Sequence, residues 1–218
     1  MNMNDMVIIS VDDHISEPPD MFDKHLSGED LATAPKLRTN ADGTNYWEYQ
    51  GMIMPSVGLN AVVGRPLEEY GMEPSSFGQL RKGVYDVHAR IDDMNVNGIA
   101  ASLNFGTCVG FDGGRFHKAA DKSKARIHID WHIDEWCGAY PGRFIPCALL
   151  PTWDMNATVE EINRIAKKGC TTVSLNENPT VQGLPSIHNE YWEPLWKAIV
   201  DNNMTICLHI GAGNPVPH

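Results

Sequence analysis

The chain has 218 residues, 42% of them apolar and 21% charged, which is the composition of a folded globular protein and rules out a disordered or collagen-like one. Seventeen Lys and Arg against 28 Asp and Glu give a formal charge of −11, with no basic run, so nucleic acid and anionic membrane are not expected as partners. No stretch approaches the roughly 18 apolar residues of a membrane-spanning helix, and the start MNMNDMVIISVDDH has neither the basic nor the long apolar region of a signal peptide.

In chain order, the first apolar run is Val7–Val11, bounded by Asp12-Asp13. From about Lys36 to Lys82 the pattern is irregular. Tyr46-Trp47-Glu48-Tyr49 and Met52-Ile53-Met54 flank Gly51 and predict a β-hairpin, and Pro, Gly and Met are frequent from Pro55 to Phe77. Residues 36–82 are therefore expected to be an insertion after the first strand, lying over strand C-termini as a cap on a substrate pocket or as a plain surface loop.

From residue 84 onward helical and strand patterns alternate. Val84–Asn97 predicts a helix stopped by Gly98, and Ile99–Phe105 a strand. Arg115–Tyr140 carries Ile129, Ile133, Trp136 and Cys137 at helical spacing before Pro141-Gly142. Phe144–Leu150 is a third strand, and Met155–Lys168 a helix closed by Lys167-Lys168-Gly169. Thr171–Leu175 is a fourth strand, Asn189–Asn203 a helix with Trp192, Leu195, Trp196, Ile199 and Val200 on one stripe, and Thr205–Ile210 a fifth strand. Short continuous apolar runs are the mark of strands buried on both faces, so the fold class is α/β with a parallel sheet, either a barrel or a doubly wound sheet. Five strands are visible where a (β/α)8 barrel has eight. The five cysteines, Cys108, Cys137, Cys147, Cys170 and Cys207, include no Cys-x-x-Cys and read as core residues of a protein kept in a reducing cytoplasm.

Chemistry is expected at strand C-termini. Alternation along the first strand sends Asp12 and His14 one way and Asp13 the other, so Asp12 and His14 form a two-ligand clip for a metal ion. His209, at the end of the fifth strand, is either a core imidazole or a third ligand, and the company of Asp12 and His14 favours the ligand. Glu17 either bonds a ligand His, which makes it a candidate for the catalytic machinery beside His209, or fixes the turn before Pro18-Pro19. Asn104 ends the second strand. Arg115, after Gly110-Phe111-Asp112-Gly113-Gly114, could hold a substrate carboxylate, although that loop also reads as a flexible turn. His188 could reach substrate. Asn176 and Glu177 end the fourth strand. His128 and His132 lie four apart, but Ile129 stands where HExxH has Glu and Glu135 shares their face, so a solvated helix face is expected. His88 is expected on a helix surface. Gly211-x-Gly213 lacks the third glycine of a dinucleotide fingerprint.

Asp12-x-His14-x-x-Glu17-Pro18, Arg90-x-x-Asp93-Met94 and Leu208-His209-x-Gly211, in this order, resemble the amidohydrolase superfamily. The nearest branch is the amidohydrolase-2 group with aminocarboxymuconate-semialdehyde and dihydroxybenzoate (γ-resorcylate) decarboxylases. Tyr191-Trp192-x-x-Leu195-Trp196 and Gly142-Arg143-Phe144-Ile145-Pro146 fit the same group. The resemblance implies a distorted TIM barrel with one divalent metal, zinc first and manganese second, held by Asp12, His14 and His209. It also implies a His after strand six and an Asp after strand eight, neither of which falls within these residues. Residues 1–218 are then expected to be a partial barrel domain, the first five β/α units of a longer chain or an open sheet completed by a partner. A homodimer is expected, as the group tends to form dimers.

The implied activity is non-oxidative decarboxylation of a small aromatic or unsaturated carboxylic acid. The alternatives are metal-dependent hydrolysis of an amide, ester or lactone, and, from another class, a binding domain without catalysis. The same three ligands serve both reactions: a divalent ion can lower the pKa of bound water to about 7, or chelate a carboxylate with an adjacent oxygen.

Overall fold

The structure is a computed structural model describing residues 2, 5–59, 61–70 and 74–211. Gly213 and His218 lie outside the described residues. The chain divides into two compact units, Met1–Cys108 with Ala139–Phe144, and Val109–Gly138 with Ile145–His218.

The first unit opens with β1 (Ile8–Ile15), two short helices, α1 (Met21–His25) and α2 (Gly28–Ala32), and an antiparallel sheet of β2 (Lys36–Thr39), β3 (Asn45–Tyr49) and β4 (Met52–Met54). The predicted hairpin is thus the second half of a three-stranded meander. Its extra strand, Lys36-Leu37-Arg38-Thr39, has one large apolar residue and so gives little strand signal. The meander buries Trp47 and Tyr49, and Phe22 of α1 meets the Trp47 indole edge-on at 6.2 Å. Ser16, at the end of β1, holds the following segment with its hydroxyl on the Val57 carbonyl (2.5 Å) and its N–H on that of Val84 (2.9 Å).

Three 3-10 turns, at Leu67–Glu69, Phe77–Gln79 and Lys82–Val84, lead to α3 (Val87–Val96). Asp86 caps α3 by accepting the Ala89 N–H at 2.9 Å, and Gly98, at φ +68°, turns the chain into β5 (Ile99–Gly106). β5 pairs in parallel with β1, and the short β6 (Phe144–Ile145) completes the order β1-β5-β6. β1 is not buried on both faces as its apolar run predicts: Ile8, Ile9 and Val11 are half or more exposed, because β1 is an edge strand among the described residues.

The second unit contains α4 (Gly114–Lys118), α5 (Lys124–Asp130) with a π-helical continuation (Trp131–Cys137), β7 (Cys147–Leu149), α6 (Met155–Lys167), β8 (Thr172–Leu175), α7 (Glu193–Asp201) and β9 (Thr205–Leu208). Two further 3-10 turns lie at Pro179–Gln182 and Glu190–Trp192. β7, β8 and β9 are parallel neighbours in that order. The run Phe144–Leu150 is split into β6 and β7 at Pro146, which has no N–H for a ladder. Ile162, Ile165 and Leu195 are fully buried. Arg164 bonds Glu161 and Asp130, and Lys168 bonds Asp130 and Asp134, so α6 is tied to the long helical segment by charge. Among the described residues no helix is long and apolar enough to cross a membrane.

The expected helix over Arg115–Tyr140 is interrupted, and its histidines are not solvated. His128 and His132 are both 3% exposed. The wider π-helical turn shifts the phase of the buried stripe, and the His132 Nε2 accepts the Cys147 N–H (3.5 Å) and lies 3.7 Å from the Cys137 thiol. His88 is on the surface as expected, bonded to the Tyr140 hydroxyl at 2.9 Å.

The Ala89 N–H, followed by a smaller opposing effect of burial and then by Lys82, holds the Asp86 carboxyl below its ordinary range. A depressed carboxyl stabilises the fold above its unfolded pKa, near 4, and loses that contribution as pH falls through the folded value. Replacing Asp86 with Ala should therefore cost about 1 kcal/mol at pH 7. The gap between wild type and D86A in urea unfolding should shrink steadily below about pH 4.

Candidate metal centre

β1 runs against β5 with one extra residue. Ser10 lies opposite Ser102, but Asp13 lies opposite Asn104, so three steps on β1 match two on β5. The bulge puts Ser10 and Asp13 on one side. There Asp13 accepts from the Ser10 hydroxyl (2.8 Å) and from the Ser102 hydroxyl, and pairs with Arg90 at 3.2 Å. Asn104, 1% exposed, donates to the Ser102 hydroxyl at 2.8 Å and belongs to this same network.

Asp12 and His14 project the other way. The Asp12 Oδ1 is 3.5 Å from the His14 Nε2, with the carboxylate largely exposed and the imidazole one-third exposed. A tetrahedral ion with bonds of about 2.1 Å holds its donor atoms about 3.4 Å apart. The pair is thus spaced as two ligands of one ion, and a carboxylate with a neutral imidazole suits zinc or manganese. The His14 ring lies 6.0 Å from that of Phe105.

Glu17 is fully buried. Its Oε2 accepts the N–H groups of Cys108 (2.7 Å) and Thr107 (3.3 Å), and the Thr107 hydroxyl bonds the Ile15 carbonyl (2.8 Å). Glu17 therefore clamps the end of β1 to the end of β5, immediately beyond the clip.

In the second unit His209 is the first residue after β9 and is half-buried. Its Nδ1 lies 2.7 Å from the Ile210 carbonyl oxygen, which can only accept. Nδ1 is therefore the donor in this contact, and an imidazole so held would offer Nε2 to a metal ion. The ring rests on Phe111, centroid to centroid 4.1 Å. The Gly110–Gly114 loop is not a loose turn, because Asp112, buried at 9% exposure, bonds across it. Asn176, 7% exposed, bonds Asp112, and Glu177 accepts the Gly211 N–H at 3.1 Å. Arg115 lies half-buried in the first turn of α4, and His188 is exposed in the loop after β8. Trp47 is a core residue, and Trp153 meets His117 edge-on. Sequence reasoning missed Asp13 and Asp112 as anchors. For Asp13 the signal was present in the alternation that set it opposite Asp12 and His14.

All five cysteines are free thiols. Burial pushes the Cys137 thiol upward, and the Cys147 thiol is raised by its bond to Cys207 and by burial.

Removing the Glu17 carboxylate leaves two buried N–H groups without their acceptor. E17A should therefore destabilise the fold by about 3 kcal/mol, read from the midpoint of chemical denaturation.

Residues 87–217 match a family model described as Amidohydrolase. Among solved structures, an amidohydrolase from Mycobacterium avium subsp. paratuberculosis K-10 superposes with TM-score 0.70 at 17% identity, covering 96% of this chain and 59% of that one. A 2,6-dihydroxybenzoate decarboxylase from Rhizobium gives TM-score 0.55 at 17% identity, covering 97% of this chain and 51% of the other. A dihydroxybenzoic acid decarboxylase from Polaromonas sp. JS666, solved with manganese and the inhibitor 2-nitroresorcinol, gives 0.57 at 17%, with coverages of 97% and 51%. The chain thus spans about half the length of these structures. No curated protein matches the sequence.

Proposed function

The chain belongs to the amidohydrolase family, matched over residues 87–217, and from that premise we propose that it serves a metal-dependent enzyme which decarboxylates a small aromatic or unsaturated carboxylic acid without oxidation. The fold is that of about the first five β/α units of the (β/α)8 barrel its structural neighbours share. The observation that carries the proposal is the 3.5 Å separation of the Asp12 and His14 donor atoms at the end of β1.

In this reading Asp12, His14 and His209 hold one divalent ion, zinc before manganese. When bound, the ion supplies a Lewis-acid centre for a substrate carboxylate and its neighbouring oxygen. The Asp12 carboxylate offsets cationic charge, and the His209 Nδ1–H bond to Ile210 keeps its Nε2 as the donor. His209 also stands among the groups that move a proton, and Glu17 acts as a positioning residue that fixes the turn behind His14. Arg115 orients the substrate carboxylate, with His188 as a further substrate-side residue, whereas Asn104, 1% exposed and bonded to Ser102, serves the Asp13 network instead. Residues 36–82, including the meander, form the cap. The two decarboxylase neighbours support carboxy-lyase over hydrolase activity. Free thiols suit a reducing cytoplasm, and a homodimer is the proposed assembly.

Two measurements test this. Zinc titrated into the metal-free chain should bind one-to-one, and His14→Ala and His209→Ala should each weaken binding at least about 100-fold with unchanged circular dichroism. Retained affinity in both variants overturns the ligand set. The metal-loaded protein should release CO2 from an ortho-hydroxybenzoate. Cleavage of an aryl ester or lactone with no CO2 released would instead establish hydrolysis.

A further inference from the structure

The second unit contains a buried carboxylate that the proposed reaction does not use. Asp112 accepts three hydrogen bonds: the Gly114 N–H at Oδ1 (2.9 Å), and the side-chain amides of Asn176 (2.7 Å) and Gln182 (2.6 Å) at Oδ2. These bonds join the corner between β5 and α4 to the loop after β8. The corner turns through Gly110 and Gly113, both at positive φ (+82° and +74°), and a Cβ on Gly114 would lie 3.0 Å from the Asp112 Oδ1. The backbone is shaped around the carboxylate. One residue earlier, the Phe111 carbonyl accepts the Ser174 hydroxyl at 2.5 Å, and the Phe111 ring lies 4.1 Å from the His209 imidazole, inclined at 39°.

We propose that Asp112 is a positioning residue for His209: by pinning the 110–114 corner it seats Phe111 against the imidazole and holds the ring with Nδ1 on the Ile210 carbonyl and Nε2 forward. The proposal rests on the reading of His209 as a metal ligand for its consequence, but not for its geometry. A ring held on one face by an aromatic wall and at one nitrogen by a carbonyl loses little rotational freedom when it binds an ion. Loosening the wall restores that freedom and mixes the tautomers. Asparagine is a poor replacement for Asp112, because if it keeps the Gly114 bond its N–H2 faces the Asn176 amide, whose oxygen is held by the Asn178 N–H, and donor meets donor there.

The test compares wild type, Asp112→Asn and Phe111→Leu by zinc titration and by 15N resonances of the His209 imidazole in the metal-free protein. Both variants should bind zinc 10- to 100-fold more weakly with the one-to-one stoichiometry kept. Their His209 resonances should move from single-tautomer values toward the average of two tautomers. Zinc affinity within twofold of wild type, with unmoved resonances, overturns the proposal. If Asp112→Asn fails to fold, as its circular dichroism will show, Phe111→Leu decides by the same two readouts, since it keeps every Asp112 bond. If wild type itself takes up no zinc, the metal reading falls, while the metal-free resonances still decide whether Asp112 orders His209.

Discussion

One inserted residue in β1 governs the first unit. A strand that alternated without interruption would place Ser10, Asp12 and His14 on one face. The bulge changes the phase, so that Asp13 joins Ser10 in facing Ser102 and Asn104 while Asp12 and His14 share the opposite side. The bulge survives because Asp13 is paid for by two hydroxyls and the Arg90 guanidinium, all half-buried or better, where an unpaired carboxylate would be costly. Asp13 fixes the backbone, and its neighbours on either side are left to face outward as a pair.

The same economy appears a few residues further on. Glu17 and Thr107 turn side-chain polarity onto backbone groups where β1 and β5 end, and Ser16 does the same for the Val57 carbonyl. Backbone N–H and C=O groups at strand ends must be satisfied by something, and in this unit buried side chains do it. The strand termini become rigid as a result. Rigidity matters at this place, because two donor atoms serve one ion only if their separation is held to a few tenths of an ångström.

Much of this was legible in the sequence, for identifiable reasons. The five strands are continuous apolar runs bounded by Gly, Asn, Pro or Asp, and all five form, one of them split at Pro146, in the parallel pairings of β1 with β5, β7 with β8 and β8 with β9. The helix stop at Gly98 follows from a glycine signal that is local and so readable, whereas the caps Asp86 and Asp154 were not read and the helix expected from Val84 begins at Val87. The misreading of the histidine face is one of phase: period 3.6 is broken by the π-helical turn over Trp131–Cys137, and His132 lies in the core although Glu135 of the same stretch stays exposed. β2 was invisible because Lys36 to Thr39 has a strand's conformation without its composition. Its place is set by pairing with β3, from Lys36 against Glu48 to Thr39 against Asn45.

Asp13 and Asp112 show why the anchors of a site are harder to read than its ligands. A ligand must present a lone pair, so its residue type advertises the role, and a carboxylate two residues from an imidazole at a strand end is a recognisable pattern. An anchor is defined by what surrounds it after folding. Asp112 sits in Phe-Asp-Gly-Gly-Arg, a composition that reads as a flexible turn, and its function depends on amides 64 and 70 residues away. The glycines that make the segment look loose are there because the backbone must close tightly around a buried charge. In both units a carboxylate committed to hydrogen bonds within the protein stands beside the side chains proposed to bind metal, and the order of those side chains is a consequence of that commitment.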